Sequence, residues 1–241
     1  MRKKPKYIEN QELLFNIIVP LFNAEKYIER CLNSIIKKSY KNFQVKVIDD
    51  CSSDSSYELA SLICAKHENF DIYRNKQRLG KLNNISELLG LKVKEPSRTI
   101  DIELDGDDYL FSKDVLDFLN ELYLKSNCLI TYGSFLTSQG VQGKRYPKWI
   151  RKFNLYRKYF WYASHLKTFR HDLWLSINPN DLLDKNGHYF QCATDLAIMF
   201  PMLEMAGSRQ EFVKKILYFY NSENPISNHN VRRRKQIAAG N

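Results

Sequence analysis

Two hydrophobic patterns alternate along the first half of the chain, short apolar runs and longer segments with helical spacing. Short apolar runs predict buried strands at residues 15–20, 43–48, 70–73 and 98–104. Between them, apolar residues recur at helical spacing, which predicts helices at residues 27–36, 55–63 and 80–91. Strands that alternate with helices in this way indicate right-handed βαβ crossovers and a largely parallel sheet.

Two of these helices begin with side chains that predict N-caps. Asn23 precedes the first helix, and Ser55 with Glu58 has the spacing of a capping box at the start of the second.

The second half of the chain is less regular. We predict helices at residues 112–124 and 194–205 and strands at residues 128–132 and 215–220. Residues 139–162 interleave cations with aromatic side chains. Neither an internal repeat nor a break in composition precedes the last sixteen residues. The chain is therefore interpreted as one domain, residues 1–225, followed by a polar, basic tail or linker, residues 226–241.

Composition excludes several classes of protein. Aromatic residues make up 13% of the 241 residues, which argues against disorder. No apolar run reaches the ~20 residues of a membrane helix, and the basic N-terminus lacks the apolar stretch of a signal peptide. The five cysteines include no C-x-x-C pair, so neither a disulfide framework nor a zinc site is indicated. We therefore expect a cytoplasmic protein with free cysteines.

The net charge of +10, from 37 Lys and Arg against 27 Asp and Glu, suggests a polyanionic partner. Nucleic acid, an anionic membrane surface and a phosphorylated small molecule all fit, as does a solvated basic face. Residues 139–162 have the composition of a surface that stacks bases and binds phosphates, which keeps a nucleic-acid-binding protein as an alternative.

Carboxylates stand at the ends of two predicted strands. Asp49 and Asp50 end the second strand, and Asp105, Asp107 and Asp108 follow the fourth. Ligands of parallel α/β sheets bind at the carboxyl ends of strands, so both groups are expected to face one crevice. Crowded carboxylates repel each other unless a cation compensates, and a divalent metal is the simple solution. The alternative is an acidic turn.

Motifs of other nucleotide-binding proteins are missing. The first strand is followed by PLFN rather than G-x-G-x-x-G, and no P-loop is present.

Three segments together resemble the family 2 glycosyltransferases, which have the GT-A fold. Residues 17–23 (IIVPLFN) are similar to the opening strand of that family, residues 47–54 (VIDDCSSD) to its V-D-D-G-S-x-D segment, and residues 103–109 (ELDGDDY) to its DxD motif. Residues 189–195 (YFQCATD) stand where the family has a Glu-Asp pair at the start of a helix. The resemblance implies an α/β fold with a Rossmann-like, mostly parallel central sheet flanked by helices.

The resemblance also implies how a nucleotide would bind. Pro20, Phe22 and Asn23 would border the nucleobase. Asp50 would accept a hydrogen bond from the uracil N–H, and Asp49 would brace it; the alternative is that this pair caps the following helix.

The DxD resemblance implies roles for the second acidic group. Asp105, with Gly106 beside it, would bind the donor ribose. Asp107, with Asp108, would ligate Mn²⁺ or Mg²⁺ bridging the diphosphate. His229 could be a late metal or phosphate ligand or an exposed histidine of the tail.

Cations of the first half could approach the same ligand. Arg78 and Lys81 flank Gly80 where the family often places cations near the base or the phosphates; a solvated face is the alternative. His165 and His171, on either side of residues 167–170, could line the acceptor side or be ordinary core or surface histidines.

The implied reaction needs a base. Members of this kind invert the anomeric centre in one displacement, and a carboxylate takes the proton of the acceptor hydroxyl. Asp195 is the candidate by position, with Thr194 in place of the usual Glu. A helix N-cap is its alternative role, and Asp184 is a rival base.

These inferences predict an inverting, metal-dependent transfer of a sugar from a nucleotide-sugar donor, UDP-linked by preference. The acceptor would be a hydroxyl of a glycan, a lipid-linked sugar or a protein. Peripheral contact with the anionic, cytoplasmic face of a membrane would use the remaining cations, and no nucleic acid is expected. A catalytically inert GT-A-like module is the further alternative.

Overall fold

The computed structural model describes residues 12–224, which form a mixed α/β fold. Seven strands make the main sheet in the spatial order β3-β2-β1-β4-β8-β6-β9, and three short strands make a second sheet in the order β5-β10-β7. The strands are β1 Leu14–Leu21, β2 Phe43–Asp49, β3 Phe70–Arg74, β4 Thr99–Glu103, β5 Tyr109–Leu110, β6 Ile130–Tyr132, β7 Phe135–Thr137, β8 Lys167–Arg170, β9 Gln210–Phe212 and β10 Tyr218–Tyr220.

Helices connect these strands and pack on the main sheet. The helices are α1 Ile28–Ile36, α2 Ser56–Cys64, α3 Lys81–Gly90, α4 Val115–Ser126, α5 Lys148–Lys152, α6 His171–Leu175 and α7 Thr194–Ala206. Every strand and helix predicted from the sequence has a counterpart among these elements. The expected α/β class with a mostly parallel sheet is confirmed.

The β1 strand is buried on both faces, which explains its continuous apolar run. Its side chains alternate between two cores: Ile17 packs with the buried face of α1, whereas Ile18 packs with Leu82 and Ile85 of α3. Helices therefore cover both faces of the sheet, and the loops at the strand ends are left to form a site.

The β8 strand runs against its neighbours. β1, β2, β3 and β4 are parallel, but β8 pairs antiparallel with β4, with Lys167 opposite Glu103. The first residue of β8 thus lies beside the last residue of β4, at the edge where the parallel strands end. The sequence did not predict this strand.

Ser55 is the N-cap residue of α2 as predicted, but neither Asn23 nor Ser55 makes a side-chain capping bond. α1 starts after Tyr27, and Asn23 has φ 47° with its side chain accepting a hydrogen bond from Ser53 N–H at 2.9 Å. Ser55 precedes α2 but makes no capping bond with its side chain. Instead, its N–H donates to Glu25 Oε2 at 3.2 Å. These polar groups tie the β1–α1 loop to the β2–α2 loop, so they organise the strand ends rather than the helix starts.

The basic, aromatic stretch at residues 139–162 divides between core and surface. Tyr146 and Tyr156 are buried and their rings meet edge to face, with centroids 5.1 Å apart. Four other rings of the stretch are exposed: Trp149, Phe153, Tyr159 and Phe160. Its composition therefore reflects two different demands, a second core and an aromatic surface.

Within residues 12–224, no helix is long and apolar enough to cross a membrane. All five cysteines are free, as expected. The predicted tail, residues 226–241 with His229, lies outside the described residues.

Candidate active site

Three loops meet at the carboxyl edge of the parallel strands. The β4–β5 loop reaches the end of β1 through Gly106 N–H, which donates to Pro20 O at 3.2 Å. A Cβ on Gly106 would stand 3.3 Å from that oxygen and 3.1 Å from Leu21 Cδ1, so a larger residue would push the loop away. The close approach places the DxD segment beside the loop of Phe22 and Asn23.

The Asp50 carboxylate is buried and accepts bonds on both oxygens. Leu79 N–H (2.8 Å) and Asn75 Nδ2 (3.0 Å) donate to Oδ1, and Gly80 N–H (2.9 Å) donates to Oδ2. Burial acts to raise the pKa of Asp50, but these donors outweigh it and hold the pKa below its ordinary value. The charged acceptor expected at this position is therefore held in place by the loop before α3.

Asp49 braces the same region from beneath. It is fully buried, with Oδ2 accepting from Ser52 N–H at 3.1 Å and facing Arg74 Nε at 3.4 Å. These contacts tie Asp49 to the β2–α2 loop and to β3, and its bracing of Asp50 against a nucleobase stays a prediction.

A half-buried ring and an exposed cation lie beside Asp50. The Arg78 guanidinium lies 3.9 Å from the centroid of the Phe22 ring, and its Nε lies 3.9 Å from Asp50 Oδ2. Arg78 is two-thirds exposed, so it is free to meet a ligand. Phe22 and Arg78 thus lie beside Asp50, whereas the nucleobase contacts of Pro20, Phe22, Asn23 and Arg78 stay predictions.

The three DxD carboxylates have different partners. Asp105 faces Lys81 Nζ at 2.7 Å, and Asp107 Oδ2 accepts from Asn224 Nδ2 at 2.6 Å. Asp108 is buried and accepts from Asn221 N–H at 2.7 Å and from the Tyr218 hydroxyl. The second sheet, through β10, therefore supports the acidic loop from below.

These carboxylates are crowded enough to favour a cation. Burial, reinforced by the neighbouring charges of Asp107 and Asp105, raises the pKa of Asp108 well above its ordinary value. Burial and Asp105 likewise raise the pKa of Asp107. A divalent ion would relieve this repulsion, and carboxylate oxygens are the ligands that Mg²⁺ and Mn²⁺ prefer.

His165 was missed as a neighbour of this group. One ligand atom each from Asp105, Asp108 and His165 lies within 4.8 Å of the others, an arrangement that does not include Asp107. The imidazole stacks between Tyr218 and Tyr220, with centroids 4.9 and 5.0 Å away. Burial and then Lys167 lower the pKa of His165 to about 4, so the ring is neutral at pH 7.

Two lysines and three carboxylates form a cluster beside the DxD loop. Lys167 Nζ lies 2.8 Å from Glu103 Oε2 and 2.6 Å from Asp195 Oδ1. Lys81 Nζ lies 2.7 Å from Glu103 Oε1 and 3.8 Å from Asp195 Oδ1, in addition to its pair with Asp105. Lys81, which was predicted to lie near the nucleobase or the phosphates, instead forms ion pairs with these carboxylates. Its lysine partner Lys167 and the acid Glu103 were not predicted as site residues.

Asp195 lies in the first turn of α7, where the helix dipole favours an anion. Burial acts to raise the pKa of Asp195, but the ammonium groups of Lys167 and Lys81 hold it far below its ordinary value. Thr194 is buried at the first position of the helix. The rival Asp184 accepts bonds from the N–H groups of Asn186 and His188 in a surface turn, so its carboxylate is engaged there.

Curated proteins with similar sequences include bacterial glycosyltransferases and a protein of teichoic acid biosynthesis. The poly(ribitol-phosphate) beta-N-acetylglucosaminyltransferase TarS of Staphylococcus aureus is 30% identical over 146 residues, which are 56% of this chain and 22% of TarS. The minor teichoic acid biosynthesis protein GgaA of Bacillus subtilis is 27% identical over 224 residues, 86% of this chain and 47% of GgaA. The chain thus spans about a fifth of TarS and less than half of GgaA.

Solved structures share the fold. The S. aureus TarS fragment 1–349 in complex with UDP-GlcNAc superposes with a TM-score of 0.64 at 22% identity, covering 88% of this chain and 59% of the fragment. The mannosyltransferase PcManGT from Pyrobaculum calidifontis, in complex with GDP-Man and Mn²⁺, gives a TM-score of 0.63 at 17% identity, covering 93% of this chain and 61% of that one. This architecture is the GT-A fold.

The family model described as "Glycosyl transferase family 2" matches residues 16–183, which are more than half of the chain. The match includes both acidic strand ends and the β8 strand, while Asp195 lies beyond it. The chain belongs to glycosyl transferase family 2.

Proposed function

We propose that this chain transfers a sugar from a nucleotide-sugar donor to an acceptor hydroxyl with inversion of the anomeric centre. The observation that carries the proposal is the meeting of three groups at one edge of the sheet. Asp50 with Phe22 and Arg78 forms one side, the DxD carboxylates form the middle, and Asp195 stands beyond Lys81. A bound nucleotide sugar and its acceptor would meet these groups in the same order: the nucleoside first, then the diphosphate with its metal, and then the acceptor hydroxyl.

For the donor we propose a UDP-sugar. The Phe22 ring and the Arg78 guanidinium offer flat surfaces to a nucleobase, and Asp50, braced by Asp49, is a charged acceptor for a ring N–H. The TarS structure that shares the fold contains UDP-GlcNAc, which supports a uridine nucleotide. Pro20 and Asn23 would complete the border of the base.

For the metal we propose Mn²⁺ or Mg²⁺, held by Asp107 and Asp108, with Asp105 and Gly106 nearer the donor ribose. The raised pKa values of Asp107 and Asp108 fit a site built for a cation. Bound there, the ion would act as a Lewis acid that stabilises the leaving diphosphate. No Gly-rich phosphate loop is then needed.

Asp195 is the proposed base. Its carboxylate stays ionised at neutral pH, and Lys81 separates it from Asp105 and hence from the donor side. The proton of the acceptor hydroxyl would pass to Asp195 as the hydroxyl attacks.

For the acceptor we propose a hydroxyl on a glycan, a lipid-linked sugar or a phosphate-bearing polymer. The names of TarS and GgaA refer to poly(ribitol-phosphate) and teichoic acid, and the net charge of +10 suits a polyanion. A protein hydroxyl is the remaining possibility carried over from the sequence.

A screen of nucleotide sugars tests the proposal. With Mn²⁺ and a poly(ribitol phosphate) or glycan acceptor, release of nucleoside diphosphate should be greatest with a UDP-sugar. Asp107→Ala should reduce that release at least 100-fold, while Asp71→Ala, a change on β3, should not alter it. Absence of turnover with every donor, together with retained UDP binding, would favour the inert GT-A-like module instead.

We further propose that the exposed rings of residues 139–162 contact an anionic membrane surface. Phe160 is 78% exposed and Phe153 61%, so both phenyl rings present apolar surface to water, with the Lys152 ammonium 5.3 Å from the centroid of the Phe153 ring. Six exposed cations accompany them in the same stretch, of which Arg157 is paired with Glu204: Lys144, Arg145, Lys148, Lys152, Arg157 and Lys158. Aromatic and basic side chains together favour the interface of anionic bilayers.

Flotation with vesicles tests this contact. The chain should float with phosphatidylglycerol vesicles but not with phosphatidylcholine vesicles, and Phe153→Ser with Phe160→Ser should weaken flotation several-fold. Leu62→Ser, which removes an equally exposed apolar side chain from α2, is the matched control. Undiminished flotation of the double variant, or tighter binding to single-stranded RNA than to vesicles, would contradict the proposal.

A further inference from the structure

The two oxygens of the Asp195 carboxylate have different surroundings. Oδ1 lies 2.6 Å from Lys167 Nζ and 3.8 Å from Lys81 Nζ. Among residues 12–224, no side chain or backbone group forms a hydrogen bond to Oδ2. The side chain keeps 30% of its surface exposed, so Oδ2 is the oxygen left for a substrate.

Lys167 is buried and held in place, whereas Asp195 is partly exposed. The Lys167 side chain is 0% exposed, and Nζ is also bound by Glu103 Oε2 at 2.8 Å. Glu103 and Lys167 are directly opposite each other in the β4–β8 pair, so the sheet register fixes their relative positions. The reversal of β8 is what brings a lysine to the edge where the parallel strands end.

The burial of a charged lysine at this position calls for an explanation. Removing an ammonium group from water is costly, and a buried ion pair rarely stabilises a fold more than apolar residues of similar size would. Glu103 is already paired with Lys81 through its other oxygen, at 2.7 Å. The second lysine therefore does more than neutralise Glu103: its remaining partner is Asp195.

We propose that Lys167, anchored by Glu103, is a positioning residue for Asp195 that holds Oδ1 and leaves Oδ2 aimed at the acceptor hydroxyl. This inference rests on the proposed role of Asp195 as base. In the step itself, the acceptor O–H bond breaks and its proton goes to Oδ2. The acceptor oxygen forms the bond to the anomeric carbon, and the bond from that carbon to the diphosphate oxygen breaks, its electron pair leaving with the nucleoside diphosphate.

The charge of Lys167 also favours release of the proton from Asp195 after each transfer. A carboxylate whose pKa is held low is a weak base, but it gives its proton back to water readily after each transfer. The charged and titratable groups around Asp195 come from three other parts of the fold: Lys81 on α3, Glu103 and Asp105 at the end of β4, and His165 with Lys167 at the start of β8.

The test separates positioning from structural support. Lys167→Met should lower kcat about 100-fold, the scale of general-base catalysis, while KM for the donor and the affinity for UDP change less than about 3-fold. Without the ammonium, the pKa of Asp195 should rise, so the acid limb of the kcat/KM profile should move to higher pH. Glu103→Gln with Lys167→Met removes both charges and serves if the single variant does not fold. Lys46→Met, at another buried lysine, is the matched control and should keep kcat.

Asp195→Asn distinguishes failure of this inference from failure of the proposed function. Loss of transfer in Asp195→Asn, with kcat and the pH profile unchanged in the folded Lys167 variants, would overturn the inference alone. A parallel loss of UDP affinity and kcat in those variants would assign Lys167 a structural role and overturn it as well. Full transfer by Asp195→Asn would remove Asp195 as base and with it the reason for positioning.

Discussion

At the scale of single residues, the side chains of the site are distinguished by what surrounds them rather than by type. Asp50 and Asp195 have lowered pKa values because backbone donors or lysines face them, whereas Asp107 and Asp108 have raised pKa values because burial and other carboxylates surround them. The first pair suits a fixed acceptor and a base, and the second suits a cation.

The raised pKa values predict that protons compete with the metal. A carboxyl group with a raised pKa is protonated at a higher pH, and only its ionised form binds the ion. The affinity for Mn²⁺ should therefore fall as the pH is lowered from about 7.5 to about 5.5, as measured by electron paramagnetic resonance of free Mn²⁺. An affinity that is constant over this interval would contradict the assignment of Asp107 and Asp108.

The sequence predicted part of the site at this scale and missed the rest for a physical reason. Carboxylates at strand ends are visible because the apolar strand before them is visible. Lys167 was not predicted as a site residue and His165 was considered only for the acceptor side, because nothing in the sequence shows that a single lysine or histidine is buried beside carboxylates. Only the pairing of β8 with β4 reveals that Lys167 is buried between Glu103 and Asp195.

At the scale of elements, the short loop before α3 connects Asp50 to the carboxylates around Asp195. Gly80 donates its N–H to Asp50, and the next residue, Lys81, reaches Glu103, Asp105 and Asp195. The backbone of Gly80 has φ 92°, a conformation that residues with a Cβ atom rarely adopt. The start of α3 therefore positions both ends of the cleft.

Two glycine substitutions in this region test that reading. Gly80→Ala should destabilise the fold by ~1–3 kcal/mol and weaken UDP binding, because of its φ and because the new Cβ would stand 2.4 Å from Gln191 Oε1. Gly90→Ala, at the other end of α3, meets no atom within 4 Å and is the matched control. Thermal melting and UDP titration measure both effects, and equal behaviour of the two variants would contradict the role given to Gly80.

The elements themselves were predicted unevenly. The strands of residues 14–90 are recognisable as short apolar runs and the helices by a period of 3.6 residues, because the parallel sheet buries both faces of β1 and one face of each helix. β5, β7, β8 and β9 have two to four residues each, too few to show a period. The predicted capping bonds are absent because Asn23 and Ser55 bond to neighbouring loops instead of to their helices.

At the scale of the whole molecule, an acidic cleft lies in a basic protein. The net charge is +10, yet the centre of the site holds Asp105, Asp107 and Asp108 with only Lys81 as a direct ionic partner within the described chain. Cations elsewhere are thus available to the proposed polyanionic acceptor, while the acidic cleft suits the proposed metal with its nucleotide-sugar donor. The sequence predicted an acidic crevice with the excess cations outside it, whereas the partner of each carboxylate is known only from the fold.

This separation predicts a salt effect that depends on the acceptor. KM for a phosphate-bearing polymer should rise several-fold between about 50 and 300 mM NaCl, because salt screens its attraction to exposed cations. KM for a neutral oligosaccharide with the same hydroxyl should change little. Equal salt dependence for both acceptors would show that the surface cations do not contribute to acceptor binding.

The stereochemistry of the product tests the central claim most directly. Given a UDP-α-sugar, Mn²⁺ and an acceptor, the chain should form a β-linked product, identified by the anomeric proton coupling in NMR, and Asp195→Asn should form none. An α-linked product, or a β-linked product formed equally by wild type and Asp195→Asn, would contradict inversion with Asp195 as base.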